Sequence, residues 1–314
     1  MNHSVPASKS TVIFAFAAIY IIWGSTYLAI LFAIESIPPF LMSAFRFLGA
    51  GLILYVWKTC RGEQQPDFSS FGKNAIYGTL MLVGGTVSVT WAEQYISSSI
   101  AAIIVTAVPF WFIVLDKRQW SFYFSNKIII TGLFLGFVGV VMLVAFNRHD
   151  RPDSLVNGKQ WLGALAIILG SIAWTSGSLL SKYKPANNSV IMNASIQLVA
   201  AGFFCTMVSI FSGEARNFYF VNVTFDAWLS LFYLMIMGSL VAYLSYLWLL
   251  KIRPAAVVSS YVYVNPIVAL LLGTLIARER ITVLHLSALV IILTGVLFVN
   301  MRKIDTKPKK LALP

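Results

Sequence analysis

Charged residues are scarce in this chain. Aspartate, glutamate, lysine and arginine make up 11% of its 314 residues, whereas a soluble domain carries about 25%. Hydrophobic residues account for 59% of the sequence. This composition excludes an ordinary soluble globular protein, because too few polar side chains are available to cover a water-exposed surface. It favours a protein whose surface faces lipid.

Cysteine is also rare, and the motifs of several enzyme classes are absent. The two cysteines, Cys60 and Cys205, show no metal-ligand spacing, and we expect no disulfide between them. The sequence has no Walker motif, no His–Glu zinc motif and no G-x-S-x-G nucleophile elbow. We therefore expect no ATP hydrolysis within this chain, no catalytic residues, no metal and no cofactor.

Long apolar stretches dominate the sequence instead. Each is near the length of about 20 residues that a helix needs to cross a bilayer, and none alternates in polarity as a barrel strand does. There are ten of them, at 12–34, 39–57, 73–92, 97–115, 127–146, 161–181, 189–212, 227–250, 254–277 and 281–300. The sequence predicts an all-α polytopic membrane protein with ten transmembrane helices.

Basic residues are spread unevenly over the two sides of such a bundle. If the ten stretches cross the membrane alternately, 16 of the 23 lysines and arginines lie on the side of the N-terminus and 6 on the other. The remaining one, Arg46, lies inside a span. The positive-inside rule then predicts that both termini are cytoplasmic. No basic cluster has a soluble domain to present it, so we expect no nucleic-acid partner.

The second half of the chain repeats features of the first. Shifts of 151 to 157 residues align, in order, Trp23 with Trp174, Arg46 with Gln197, Trp91 with Trp248 and Pro109 with Pro266. Because each half has five spans, the second half must enter the membrane from the opposite side, as in many secondary transporters. The predicted units are an inverted repeat at 11–146 and 161–301, with cytoplasmic tails at 1–10 and 303–314.

Four segments resemble the EamA-type drug/metabolite transporter family. They are IYIIWGSTYLAILFAIESIPPFLMSAFRFLGAGLIL (19–54), SSIAAIIVTAVPFW (98–111), LGSIAW (169–174) and SYVYVNPIVALLLGTLIARERI (260–281). The first is especially similar to the YedA-like bacterial inner-membrane members, and the resemblance covers nearly the whole chain. It implies two EamA repeats, a central cavity lined by helices 1, 3, 4, 6, 8 and 9, and export of drugs or small metabolites, often amino acids. The chain departs from the family after the ninth helix, where Arg278 precedes Glu279 in place of the usual Gly-Glu.

Two prolines interrupt spans at matching places in the two halves. Pro109 lies in the fourth span and Pro266 in the ninth. Proline inside a helix removes a backbone hydrogen bond and clashes with the preceding turn, so we predict a kink at each. Paired interruptions indicate a transport site near the middle of the membrane. A bend that serves only packing is the alternative.

Polar and aromatic side chains recur at helical spacing in several spans. Those predicted to bind substrate are Tyr20, Trp23, Tyr27, Ser88, Trp91, Trp174, Ser178, Tyr243, Tyr246, Tyr261, Tyr263 and Asn265, and Ser171 and Ser239 belong to the same stripes. Aromatic faces with a few hydroxyl groups suit a ligand with an apolar body. The alternative is that the small residues pack helices while Trp and Tyr anchor the protein at the membrane interface.

Arg46 is the only charge well inside a predicted span. Charges within the membrane are costly and point to function by default. Arg46 lies about two turns from the outer end of its span, so it can extend to the outer surface or pair with Glu93 at the outer end of the third span. A pair of Arg46 and Glu93 would form an outer gate or an anion anchor. A purely structural pair is the alternative.

The sequence as a whole predicts a secondary transporter that exports small metabolites by alternating access. Uptake or exchange by the same fold is an alternative, and an intramembrane enzyme or a non-transporting scaffold is a more distant one. The expected partners are a small-molecule substrate and membrane lipid, and the expected assembly is a monomer or a homodimer. A glycine face on the fifth span, Gly132, Gly136 and Gly139, predicts close helix packing within the chain or across a dimer.

Overall fold

The computed structural model describes residues 8–92, 94–95, 101, 104–145, 160–277 and 283–300. These residues are largely helical and include no strand. Helices of eight residues or more are α1 (Lys9–Ile34), α2 (Pro39–Cys60), α3 (Phe68–Ala92), α4 (Val108–Leu115), α5 (Lys127–Ala145), α6 (Gln160–Tyr183), α7 (Val190–Phe211), α8 (Phe225–Ile252), α9 (Tyr261–Ala277) and α10 (Val283–Asn300). The predicted all-α class is confirmed for this part of the chain.

Six of these helices are long and apolar enough to cross a membrane, namely α1, α2, α3, α6, α7 and α8. A seventh span results if Lys117–Phe124 and Lys127–Met142, which meet at 96°, form one bent span. The predicted spans 97–115 and 281–300 include residues outside the described ranges, as do most of the predicted tails. The predicted span 254–277 is divided, because a turn at Ser259 and Ser260 separates Ala255–Val258 from the 17-residue α9.

Local sequence signals set the points at which several helices begin. Ser8, Asp67, Ser189 and Thr224 directly precede α1, α3, α7 and α8. Each of their side chains accepts a hydrogen bond from the backbone N–H three residues further on. Such caps satisfy amide groups that the first helical turn leaves unpaired. Helix α2 begins at Pro39 instead, where the missing N–H of proline costs nothing.

Helices α2 and α7 run in opposite directions along each other, and a carboxylate joins them at each end. Glu214, beyond the end of α7, accepts hydrogen bonds from the backbone N–H groups of Phe40 and Leu41 at 3.0 Å each. Glu63, beyond the end of α2, accepts from both the backbone N–H and the hydroxyl of Ser189 at 2.8 Å. The N-terminus of each helix therefore contacts a carboxylate that lies just beyond the C-terminus of the other helix. A negative charge near a helix N-terminus is electrostatically favourable.

The other helices also pack in pairs across the two halves of the chain. Helix α5 packs along α10, helix α1 against α8 and α9, and helix α6 against α3 and α4. A methyl group at Gly132 would lie 2.6 Å from the carbonyl oxygen of Gly295, and one at Gly139 would lie 2.6 Å from the side chain of Ile292. These two glycines of α5 thus allow close contact with α10 within one chain.

Two long helices contain stretches of wider, π-helical turns. They are Thr79–Val87 in α3 and Leu234–Ala242 in α8, each nine residues long. Both segments lie in the middle of their helices, and they begin 155 residues apart. Nothing in the hydrophobic pattern predicts them. Turns of this kind are rare and are frequently found at functional sites.

Candidate functional site

A cavity of about 120 Å³ lies among helices from both halves of the chain. One buried water needs roughly 10–15 Å³ measured in this way, so the cavity has room for a small organic molecule. Its walls come from α1, α3, α4, α6, α8 and α9, with one side chain from α2. Both π-helical segments contribute to it.

Seven of the residues predicted from the sequence to form the site line this cavity. They are Trp23, Tyr27, Arg46, Trp174, Tyr243, Tyr261 and Asn265. They come from several different helices, which explains why their proximity could not be read from spacing along the chain. The cavity lies toward the end of the bundle at which α1 ends and α2 begins, since its α1 residues run from Trp23 to Ile30.

An aromatic cluster surrounds Trp23 at the inner limit of the cavity. The ring centroid of Trp23 lies 5.7 Å from that of Trp174, 5.3 Å from that of Tyr246 and 4.7 Å from that of Tyr261. Edge-on and tilted aromatic pairs of this kind contribute about 0.5–1.5 kcal/mol each beyond their burial. Trp23 Nε1 also donates to the carbonyl oxygen of Gly238 at 3.2 Å, in the π-helical segment of α8. These contacts fix the indole ring that forms the cavity floor.

Beyond the aromatic cluster, buried and partly buried hydrogen bonds join the helices at the opposite end of the bundle. The carboxylate of Asp116, which is 1% exposed, accepts from the hydroxyl of Tyr183 at 2.8 and 2.9 Å and from that of Tyr123 at 3.1 Å. Lys182 donates to the backbone carbonyl of Arg253 at 2.6 Å. We call Asp116, Tyr123 and Tyr183 the Asp116 cluster. It connects the chain after α4 to the end of α6.

Arg46 is buried at the cavity wall, with 5% of its surface exposed. Its Nε donates to Ser239 Oγ at 2.9 Å. A methyl group at Gly238 would lie 2.8 Å from Nη2, so the guanidinium lies directly against this glycine. No carboxylate of the described residues forms an ion pair with Arg46, and the ion pair found among these residues joins Lys58 and Glu63 at 2.8 Å. The predicted partner, Glu93, lies outside the described part of the chain.

Six other predicted site residues lie away from the cavity wall. They are Tyr20, Ser88, Trp91, Ser178, Tyr246 and Tyr263. Some of them support the floor: the hydroxyls of Tyr20 and Ser260 are 2.7 Å apart, and those of Ser178 and Tyr246 are also 2.7 Å apart. The others make contacts outside the cavity wall. The ring of Trp91 lies against Tyr95, with centroids 4.8 Å apart, and Ser88 bonds to its own helix at the carbonyl of Gly85.

The two prolines occupy different positions in their helices. Pro109 is the second residue of α4, after a turn at Thr106 and Ala107, and not a residue inside a continuous helix as predicted. The chain has already turned there, so the missing N–H of Pro109 breaks no helical bond. Pro266 does lie inside a helix, six residues into α9.

Sequence reasoning missed several small and apolar members of the cavity wall. They are Thr26, Ile30, Leu82, Gly85, Thr86, Val89, Val105, Val108 and Gly238. One signal for them existed in the Gly84-Gly85 pair, since small residues in membrane helices mark close approach of a neighbour. A methyl group at Gly85 would lie 2.7 Å from the ring of Trp174. The apolar members carried no such signal, because lipid-facing positions are equally apolar.

The acids in the two connections after α2 and α7 are held differently. Burial raises the pKa of Glu214, against the lowering effect of the N–H groups of Leu41 and Phe40. Partial burial works in the same direction at Glu63, but hydrogen bonds from Lys58 and Ser189 outweigh it and lower the pKa of Glu63. The contributions of the two carboxylates to stability therefore change with pH in opposite directions.

Comparison with known proteins places both halves of the chain in one family. Residues 9–145 and 161–301 each match the EamA-like transporter family. The chain is 33% identical to "Uncharacterized inner membrane transporter YedA" of Escherichia coli (strain K12), over 96% of this chain and 94% of the relative. It is 24% identical to "Protein PecM" of Dickeya dadantii, over 92% of each chain. A solved crystal structure with 17% identity has a similar fold, with a TM-score of 0.74 over 94% of this chain and 98% of the other.

Proposed function

Because this chain belongs to the EamA-like transporter family, we propose that it is a secondary transporter that exports small metabolites, such as amino acids, or drugs from the cytoplasm. The observation that carries the proposal is the cavity between helices of both halves, walled by aromatic rings and a few polar groups. Such a lining suits a small organic ligand. A binding site at the interface of two repeats, near the middle of the membrane, is the arrangement of many secondary transporters.

Two inverted five-helix repeats, 11–146 and 161–301, form the transporter in this proposal, with ten transmembrane helices in all. The packing of the helices supports the repeat. If each helix is replaced by its counterpart in the other half, which lies five helices away in the numbering, the contacting pairs α2–α7 and α5–α10 remain the same pairs. The contacts of α1 with α8 and α9 become those of α6 with α3 and α4 under the same exchange. The paired π-helical segments and the exchanged carboxylates follow the same symmetry.

Alternating access requires that the cavity open to one side of the membrane at a time. The cavity lies toward the end at which α1 ends, while the Asp116 cluster and the Tyr20–Ser260 hydrogen bond close the other end. With cytoplasmic termini, as the basic residues predict, the closed end faces the cytoplasm and the cavity faces outward. Transport then needs the Asp116 cluster to open, with Pro109 and Pro266 as proposed hinges.

The test is an untargeted metabolite profile of the medium around cells that overproduce the protein. Cells that make the parent should accumulate one class of metabolite outside, and cells that make a Trp23→Ala/Trp174→Ala variant should not. Trp161→Ala is a matched control for the tryptophan in α6, because Trp161 lies on the same helix and is 61% exposed. All variants are compared at equal abundance in the membrane. Identical profiles for the parent and the double variant would contradict export through this cavity.

A further inference from the structure

Resting on the proposed transport function, but narrowing its substrates from amino acids and drugs to anions, we infer that the substrate is a small organic carboxylate with an apolar body and no ammonium group. In this inference Arg46 binds the carboxylate of the substrate. Arg46 lines the cavity and is 5% exposed. A charge buried at this depth in a membrane protein is costly unless an opposite charge or an aqueous cavity accommodates it. In the described part of the chain, no carboxylate provides that charge.

The guanidinium is held from two sides but not neutralised. Its Nε donates to Ser239 Oγ at 2.9 Å. Gly238 leaves room for Nη2, since a methyl group there would lie 2.8 Å from this nitrogen. A guanidinium carries five N–H donors and no acceptor, and the described residues accept from Nε alone. The edge formed by Nη1 and Nη2 can bind a carboxylate through two parallel hydrogen bonds.

The other residues of the cavity wall determine which molecular body, attached to the carboxylate, fits the site. Arg46 is the one charged side chain among the described lining residues. An anion would neutralise it, whereas a zwitterion would bring an ammonium group that meets no carboxylate in this wall. Trp23, Trp174 and Tyr261 offer aromatic faces, and the valines and leucine of α3 and α4 add apolar surface. This wall fits an aromatic or aliphatic body.

A net negative charge on the substrate also bears on the energetics of export. Across a membrane potential of 100 mV, negative inside, a monovalent anion accumulates outside by about 50-fold at equilibrium. Outward movement of such a substrate is therefore favourable without a coupled ion. This accords with the position of Arg46, which provides the anion with a binding partner part of the way across.

The direct test compares binding of matched small molecules to the purified full-length protein in lipid nanodiscs. Phenylacetate, phenylacetamide and phenylglycine share one body and differ in charge, being an anion, a neutral amide and a zwitterion. Hexanoate and hexanamide form an aliphatic pair. We expect one of the two carboxylates to bind at least tenfold more tightly than its amide, and phenylglycine to bind more weakly than phenylacetate.

Substitution of Arg46 connects this preference to the residue. We expect Arg46→Gln to weaken carboxylate binding by about 10- to 150-fold, the usual range for loss of a hydrogen bond to a charged group, and to leave amide binding unchanged. Arg46→Lys, which keeps the charge without the fork, and Ser239→Ala, which frees Nε, should give intermediate losses. These two milder variants keep the test valid if Arg46→Gln does not fold, which thermal unfolding will show.

Several results would overturn the inference. They are equal or tighter binding of an amide or of phenylglycine, binding of neither carboxylate, and full carboxylate affinity in a folded Arg46→Gln variant. The transport proposal fails differently: if the parent moves a neutral or zwitterionic compound across reconstituted vesicles, transport stands and the anion inference falls. If no compound in the profile of exported metabolites crosses such vesicles, the transport proposal itself falls.

Discussion

Removing one hydroxyl from the Asp116 cluster should shift the protein toward the state in which the end of the bundle at this cluster is open. In Tyr183→Phe the carboxylate of Asp116 loses the donor at 2.8 and 2.9 Å. A single proton is shared between the two oxygens, so one hydrogen bond is counted, worth about 1.5–3 kcal/mol because the acceptor is charged. The bond joins the two halves and must break on opening. The open state should therefore gain about 10- to 150-fold in population relative to the closed state.

A cysteine placed behind the closure can report this population. Ser259 is fully buried, and its hydroxyl donates to the carbonyl of Ala256. The N–H of Ala256 in turn donates to Tyr123 of the Asp116 cluster, and the next residue, Ser260, is hydrogen-bonded to Tyr20. Ser259→Cys in a Cys60→Ser/Cys205→Ala background should react slowly with a polar maleimide. Adding Tyr183→Phe should raise the labelling rate by about tenfold or more in nanodiscs, where both faces of the protein are accessible.

Tyr123→Phe is the matched control for this measurement. It removes the same kind of donor, at 3.1 Å, from the same carboxylate, but Tyr123 and Asp116 lie in the same half of the chain. The Tyr123 hydroxyl also accepts from the backbone N–H of Ala256 in the other half, at 3.4 Å, and this neutral bond is longer and weaker than the charged one from Tyr183. The bond from Tyr123 to Asp116 can persist in both states, so the labelling rate should change far less than with Tyr183→Phe. Unchanged labelling in a folded Tyr183→Phe variant, or equal effects of the two substitutions, would refute the assignment of this cluster as the closure.

Two further predictions concern stability. Gly170→Ala should lower the melting temperature markedly, because its methyl group would lie 2.1 Å from Ser88 Oγ. The methyl group of Gly72→Ala would meet nothing within 4 Å, so this variant should be neutral or slightly stabilising. Thermal unfolding of the two variants tests this pair. Glu63→Gln should cost about 0.5–1 kcal/mol at neutral pH. This loss should shrink in acid, since a lowered pKa gives stability that is present above the ordinary value and lost as pH falls through the lowered one. Glu214→Gln should leave the free energy of unfolding unchanged at neutral pH and should be less stable than the parent in acid, because the raised pKa of Glu214 makes the parent lose stability as pH rises. Melting temperatures measured across about pH 4 to 8 distinguish the two glutamates. Parallel curves for the two variants would contradict their opposite pH dependences.

The membrane class and the points at which several helices begin could be predicted from the sequence. Scarce charge and long apolar stretches are sufficient for the first, and residues such as Asp67 and Ser189 act as local caps for the second. The individual aromatic residues of the cavity could also be predicted, though not their contact with one another, because Trp23 and Trp174 are large polar-edged side chains in the middle of apolar spans. These features depend on one segment of chain at a time.

Features that depend on two segments could not be predicted in this way. Membrane helices are apolar on the faces toward lipid and toward protein alike, so periodicity did not identify Val89 or Leu82 as cavity residues. The bonds from Tyr183 to Asp116 and from Ser189 to Glu63 join residues 67 and 126 positions apart. Both π-helical segments contribute to the cavity wall, and the pattern of residues within each span carries no mark of them.

The central claim is that this protein moves a small molecule through the cavity lined by Trp23 and Trp174. Its most direct test is efflux from vesicles reconstituted with purified protein and loaded with the compound that the medium profile identifies. We predict efflux with the parent and with Trp161→Ala, and loss of efflux with Trp174→Ala at equal incorporation and with intact folding. Absence of efflux with the parent, or full efflux with a folded Trp174→Ala variant, would contradict the account.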